Sequence, residues 1–149
     1  MILDLANGLQ LLFTGLFAGG AMMEMMVEHP ARLSAGKDTA RDQMQGVLKR
    51  ADPLMPGLAT LGLLSGVTAY WLGGGVLALA GAVLAGASIL FTLVAILPIN
   101  KTLMAFTAAA PQAELEAQMR RWQGLHRVRS LVALAAFILV AAGRLFPPV

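Results

Sequence analysis

The chain contains no cysteine, and that one absence removes disulfides, thiolate metal ligands and a cysteine nucleophile together. Its redox compartment is therefore not legible. Charge is the next shortage. Only 13% of the residues are Asp, Glu, Lys or Arg and 58% are hydrophobic, whereas charged residues make up about a quarter of a soluble domain. A soluble fold is excluded and an integral membrane protein is the class that remains. The net charge of +3 does not point to nucleic acid, because no recognition motif accompanies it. A Walker loop, a Rossmann glycine fingerprint, an HExxH pair and a nucleophile elbow are all missing, so the commonest enzyme signatures give no lead.

What is present is a set of long apolar runs. Four reach the roughly 20 residues needed to cross hydrocarbon: Leu5 to Val27, Leu54 to Leu72, Val76 to Leu97 and Ser130 to Phe146. They predict an all-α fold, a four-helix transmembrane bundle formed by a single domain over residues 1–149. The first run is expected to remain in the mature protein, since its flank carries Asp4 rather than Lys or Arg and it is too long for a signal-peptide core. Arg32, Lys37, Arg41, Lys49 and Arg50 lie in one long loop, Glu28 to Pro53. Lys101, Arg120, Arg121, Arg127 and Arg129 lie in the other, Pro98 to Arg129. The Gly73 to Gly75 turn has none. Because Lys and Arg favour the cytoplasmic side, the long loops are expected to face the cytoplasm, with both termini outside, in a bacterial-type inner membrane.

Local punctuation refines this map. Asp52 and Pro53 read as the N-cap and first residue of the second span. Pro111 opens a helix running to about Phe146, roughly 50 Å long. Met44, Val47, Leu48 and Ala51 recur at helical spacing against a charged face, which reads as an interfacial helix over residues 39–51. Gly15 with Gly19 and Gly62 with Gly66 have the spacing of close helix contacts in lipid. No internal repeat is evident.

Polar residues inside these runs mark the candidate site. Asn7, Gln10, Thr14, Phe17, Ala21, Glu24 and Glu28 fall on one helical stripe, which predicts that the stripe faces the bundle rather than lipid. Glu24 sits about one turn inside the boundary, where an ionisable group is a functional candidate by default. On the last helix Trp122, His126 and Arg129 share a face, while Arg120, Arg121 and Arg127 suit lipid headgroups. Pro98 frees a backbone acceptor or kinks the third span; if that helix continues, Thr92, Ile96 and Asn100 align. Asn100 then reaches the level of Glu24 and His126.

The elements "LPINKTL" and "WQGLHRVRS", after a polar first span leading into "EHPARL", closely resemble the small integral-membrane family that contains the anthrone oxygenases. The P-x-N-x-x-L element stands at Pro98, Asn100 and Leu103, and the W-x-x-x-H-x-x-R element at Trp122, His126 and Arg129. The likeness covers essentially the whole chain and implies oxidation of an anthrone methylene to a quinone carbonyl by dioxygen. Such chemistry needs a base and a stabilised oxyanion. His126 fits the base, Arg129 and Asn100 the oxyanion, and Trp122 a stacking surface for a flat ring. Glu24 joins them as a catalytic candidate, and Thr92 and Glu28 as substrate contacts. No cofactor is expected.

Two other readings stay open at this level. Met22, Met26 and His29 on the first helix offer soft ligands for copper, with haem as a second cofactor of that class. A non-catalytic membrane partner or small transporter subunit is the other. The expected partners are the lipid bilayer and a hydrophobic aromatic small molecule, with a homo-oligomer left open.

Overall fold

The computed structural model describes residues 1–146. Residue 149, whose side of the membrane the charge rule assigns, lies outside the described residues. The described chain is helical, with no strand. Helix α1 spans Ile2–Met23 and passes through a π-helical turn, Glu24–Glu28, into the short α2, His29–Leu33. Helix α3 is a single 35-residue element, Lys37–Trp71. Helix α4, Val76–Phe91, passes through a second π turn, Thr92–Ile96, into α5, Leu97–Ala105, and α6 runs Gln112–Leu145.

Three of these columns, Ile2–Leu33, Val76–Ala105 and Gln112–Leu145, are long and apolar enough to cross a bilayer. The second half of α3 is diluted by Pro56, Gly57, Gly62, Ser65 and Gly66 and falls short of that measure. It is nonetheless packed as the fourth column. Helix α1 lies against α3 and α6, and α4 lies against the same two neighbours, so the columns close into a ring. The outward faces carry Leu12, Leu16, Leu64, Val83, Leu90, Leu131 and Ile138, each at least half exposed; such a surface suits acyl chains, not water.

The interior is built from small residues. Ala21, Ala69, Ala78, Ala82 and Ala133 are wholly buried, and van der Waals packing of this kind is the main cohesion available between helices in lipid. The Gly62 and Gly66 seam forms as expected. A Cβ on Gly66 would run into the Gln10 amide and would stand 2.8 Å from Ala82 Cβ. The other seam does not form: Gly15 meets Phe137, while Gly19 has nothing within 4 Å. The reversal between α3 and α4 uses Gly73 and Gly75 at φ 90° and 81°, a region that only glycine enters freely.

Several expectations change here. Residues 39–51 form no separate interfacial helix. They are the first turns of α3, and Ala40, Met44 and Leu48 are buried against Leu103, Leu115 and Met119. That packing explains why the apolar stripe faces protein rather than membrane. Asp52 is not an N-cap and Pro53 does not start a helix; Pro53 and Pro56 both lie inside α3. Proline costs a helix one backbone bond and a steric adjustment, and here the flanking packing outweighs that cost. Nearly all of both charged loops is helical.

The architecture also repeats where the sequence does not visibly do so. A helix, a five-residue π turn, one residue, a proline, a short helix and then a long helix occur twice in order. Each π turn closes with a backbone bond back to its first residue, His29 N–H to Glu24 O and Leu97 N–H to Thr92 O. Pro30 and Pro98 are the next residues. The missing proline N–H is thus absorbed by widening the helix one turn earlier, a solution often found at functional sites.

Candidate functional site

The two π turns and the middle of α3 and α6 surround one cavity of about 100 Å³. Of the expected site residues, Glu24, Thr92, Asn100, Trp122, His126 and Arg129 all line it. The predicted convergence of three spans at one depth is therefore what the structure shows. The stripe on α1 turns inward: Gln10, Thr14, Phe17 and Ala21 are buried, and Gln10 Nε2 donates to the Ala78 carbonyl at 2.7 Å.

Trp122 is fixed at the centre. Its Nε1–H donates to Asn100 Oδ1 at 2.7 Å, and Asn100 Nδ2 in turn donates to Asp52 Oδ1 at 2.7 Å. The indole sets the amide orientation, because only the amide oxygen can accept its proton. One face of Trp122 stacks on His126, with centroids 4.5 Å apart, and His29 stacks on it at 5.1 Å. Both imidazoles thus lie against the indole, and Trp122 also lines the cavity.

Both imidazoles are held in the same way. Arg129 Nη2 bonds His126 Nδ1 at 2.8 Å, and Arg32 Nη1 approaches His29 Nδ1 at 3.3 Å. A guanidinium can only donate, so each Nδ1 carries the lone pair and the ring proton is on Nε2. For His126 that proton points to the Ala21 carbonyl, 3.2 Å away, which also accepts from Ser130 Oγ. His126 therefore has no free lone pair facing the cavity. This weakens its expected role as a base.

The two arginines differ in their counter-charges. Arg32, only 1% exposed, grips Glu24 with a two-pronged contact at 2.7 and 3.3 Å, the geometry that a guanidinium fork favours. Arg129 is 7% exposed, yet among the described residues no carboxylate oxygen lies within 4.0 Å of it. Its Nε has no partner. On the opposite face of α6, Arg120, Arg121 and Arg127 are exposed, as the sequence predicts.

Some expected residues fall elsewhere. Glu28 does not line the cavity; it borders a neighbouring open groove with Arg32 and Arg50. The soft-metal set is split. Met26 is 64% exposed while His29 is wholly buried, because the π turn between Met22 and His29 widens the helix and rotates every later residue. Among the described residues no three His, Cys, Asp or Glu side chains cluster as metal ligands.

Three residues of the site escape the sequence reading. Asp52 reads as a cap, but it continues the stripe Met44, Leu48, Asp52, Met55, Ala59, spaced by fours and a three, and extending that stripe through the prolines is the signal that finds it. Arg32 reads as a loop charge, and His29 as a soft-metal ligand.

Apolar spanning helices around a buried, charged cavity define a helical membrane protein with an internal polar site. A family model for anthrone oxygenase matches residues 44–139, well over half of the chain and including both motifs. The chain belongs to the anthrone oxygenase family. No curated protein and no solved structure matches it.

Proposed function

We propose that this protein is a membrane-embedded oxygenase that converts the methylene of a flat anthrone-type or polyketide-type substrate to a carbonyl with dioxygen. Its supporting observation is Arg129, a buried cation with no carboxylate oxygen within 4.0 Å among the described residues, lining the same cavity as the Asp52 carboxylate. A cation and a base held apart are what an acidic C–H requires: one stabilises the oxyanion as the other removes the proton. Asp52 has one oxygen on Asn100 and, among the described residues, no hydrogen bond to the other, so the base role passes to it from His126. His126 and Asn100 act as positioning residues, for Arg129 and Asp52 respectively. Glu24 orients Arg32 and, through His29, the indole. Thr92, bonded to its own helix at the Ser88 carbonyl, shapes the wall.

The reaction balances without a cofactor. The methylene loses two hydrogens, one atom of dioxygen becomes the carbonyl oxygen and the other leaves as water, a four-electron oxidation matched by a four-electron reduction. Purified protein in lipid nanodiscs should consume one dioxygen per anthrone converted, and the product oxygen should carry label from ¹⁸O₂. Label from water only, or no oxygen uptake above a protein-free disc, would sink the oxygenase reading.

The same reading places all four columns across a bacterial-type cytoplasmic membrane with both termini outside and the cavity at the cytoplasmic interface. The distribution of Lys and Arg supports it: Lys37, Arg41, Lys49, Arg50, Lys101 and Arg120 all belong to the cavity end of the bundle. Cysteine placed at Leu72, which is exposed at the α3–α4 reversal, should react with a membrane-impermeant maleimide in intact spheroplasts, and cysteine at Ala109 should not. The reverse pattern would invert the topology.

A further inference from the structure

We infer that the substrate reaches the cavity sideways from the bilayer, edge first, through a portal between the end of α1 and the middle of α3, and that Gly20 is its threshold. The inference rests on reading the cavity as the substrate site and concerns how that site is reached. Its inner walls, Ile96, Asn100, Trp122 and His126, are buried. The opposite rim is open: Gly20 and Asp52 are exposed, and Val47, Ala51 and Pro56 are half-buried. These rim residues belong to α1 and α3, and apart from Asp52 they are apolar. The opening therefore faces acyl chains.

Size sets what can pass. An enclosed space of about 150 Å³ is enough for benzene, so a cavity of about 100 Å³ holds no more than one ring of a fused system. The remaining rings of a larger molecule must stay in the rim between Gly20 and Ala51. Glycine there keeps the mouth wide. A Cβ on Gly20 would stand 3.4 Å from Met55 Cε, an ordinary contact, so the fold accepts a side chain, but a larger one would fill the gap. The occupant this fits is a planar, lipid-partitioned aromatic whose leading ring carries an acidic oxygen for Arg129. Substituents on the trailing rings meet lipid and are little constrained.

Gly19 is a natural control. It is exposed on the same helix, has nothing within 4 Å and does not line the cavity. The experiment uses the full chain in nanodiscs, with Trp71→Phe so that Trp122 is the reporting indole; Trp71 is 83% exposed and remote from the cavity lining. Anthraquinone is the probe, read by quenching of Trp122, with oxygen uptake on anthrone as a second readout. Saturable quenching is expected for the Trp71→Phe protein and for Gly19→Leu. Gly20→Leu should raise half-saturation on the order of tenfold or more, the scale on which added methylenes discriminate in an apolar pocket. Ala51→Leu, on the opposite lip, should act in the same direction. Identical quenching by Gly19→Leu and Gly20→Leu, or unsaturable quenching in every form, would overturn the portal. If quenching depends on Gly20 but no oxygen is consumed, the portal stands and the oxygenase reading fails. If oxygen uptake is robust and indifferent to Gly20→Leu, the reverse holds.

Discussion

Asp52→Asn should lower anthrone turnover by roughly a hundredfold or more, the usual loss when a proton-transfer group is removed, while the protein still inserts and keeps its helical content. The substitution is nearly isosteric, and the Asn carbonyl can still accept from Asn100 Nδ2, whose bond to Asp52 measures 2.7 Å. The Trp122 to Asn100 contact is thus preserved, and Trp122 fluorescence reports that it is. What is lost is the basic carboxylate on the cavity rim. The comparison variant is Asn100→Ala, which leaves Asp52 ionisable but removes its orienting partner and strands the Trp122 N–H. It should fall less in rate than Asp52→Asn and should also disturb the indole emission. A wild-type rate in Asp52→Asn would remove Asp52 from the chemistry and return the base role to His126, which must then release Arg129 before it can act.

How far this site can be read from sequence depends on the kind of signal each residue leaves. Three of the four columns are legible because apolar runs of spanning length are a direct statement about solvent; the second half of α3 is placed by its packing against α1 and α4. The inward stripe on α1 is legible because helical periodicity is local: Gln10, Thr14 and Ala21 are buried as their spacing requires. Trp122, His126 and Arg129 share a face for the same reason, and their separation from Arg127 is visible in the exposures. Asp52 is obscured by its own neighbour. Proline after an acidic residue is a strong helix-start signal, and only tertiary packing of Met44 and Leu48 shows that the helix has begun fifteen residues earlier, at Lys37.

The π turns lie deeper still. A widened turn leaves no residue signature except the proline that comes after it, yet it changes the face of every residue beyond it. That is why Met22 and His29 diverge, and why His29 comes to lie against Trp122. Pairing is equally invisible. Arg32 counts only as a loop charge in the sequence, yet it is buried; a charge count cannot distinguish an arginine held by Glu24 from one in water. The two His–Arg pairs, each three residues apart, are alike in geometry and unlike in charge balance. Arg32 is neutralised by Glu24, whereas among the described residues Arg129 has no carboxylate oxygen within 4.0 Å. A buried ion without a close counter-ion is costly, and on the proposed function that leaves Arg129 an attraction for a developing oxyanion.

That attraction gives the second large effect. Arg129→Gln should reduce turnover by roughly a hundredfold to a thousandfold, the range seen when one donor to a developing oxyanion is lost. Arg127→Gln, two residues away and exposed, should be nearly silent because single headgroup contacts are weak and replaceable. The kinetic form of the loss is informative. Ground-state binding of a neutral anthrone owes little to the cation, so kcat should fall far more than KM rises. His126→Ala tests the positioning role: it removes the 2.8 Å contact to Arg129 Nη2 without removing the charge, and should cost less than Arg129→Gln. In the double variant the losses should not add, because His126 acts only through Arg129. Full additivity would give His126 an independent part in the chemistry. Equal rates for Arg129→Gln and Arg127→Gln, on a substrate that the wild type converts, would leave Arg129 as a structural charge and the cavity without an oxyanion receptor.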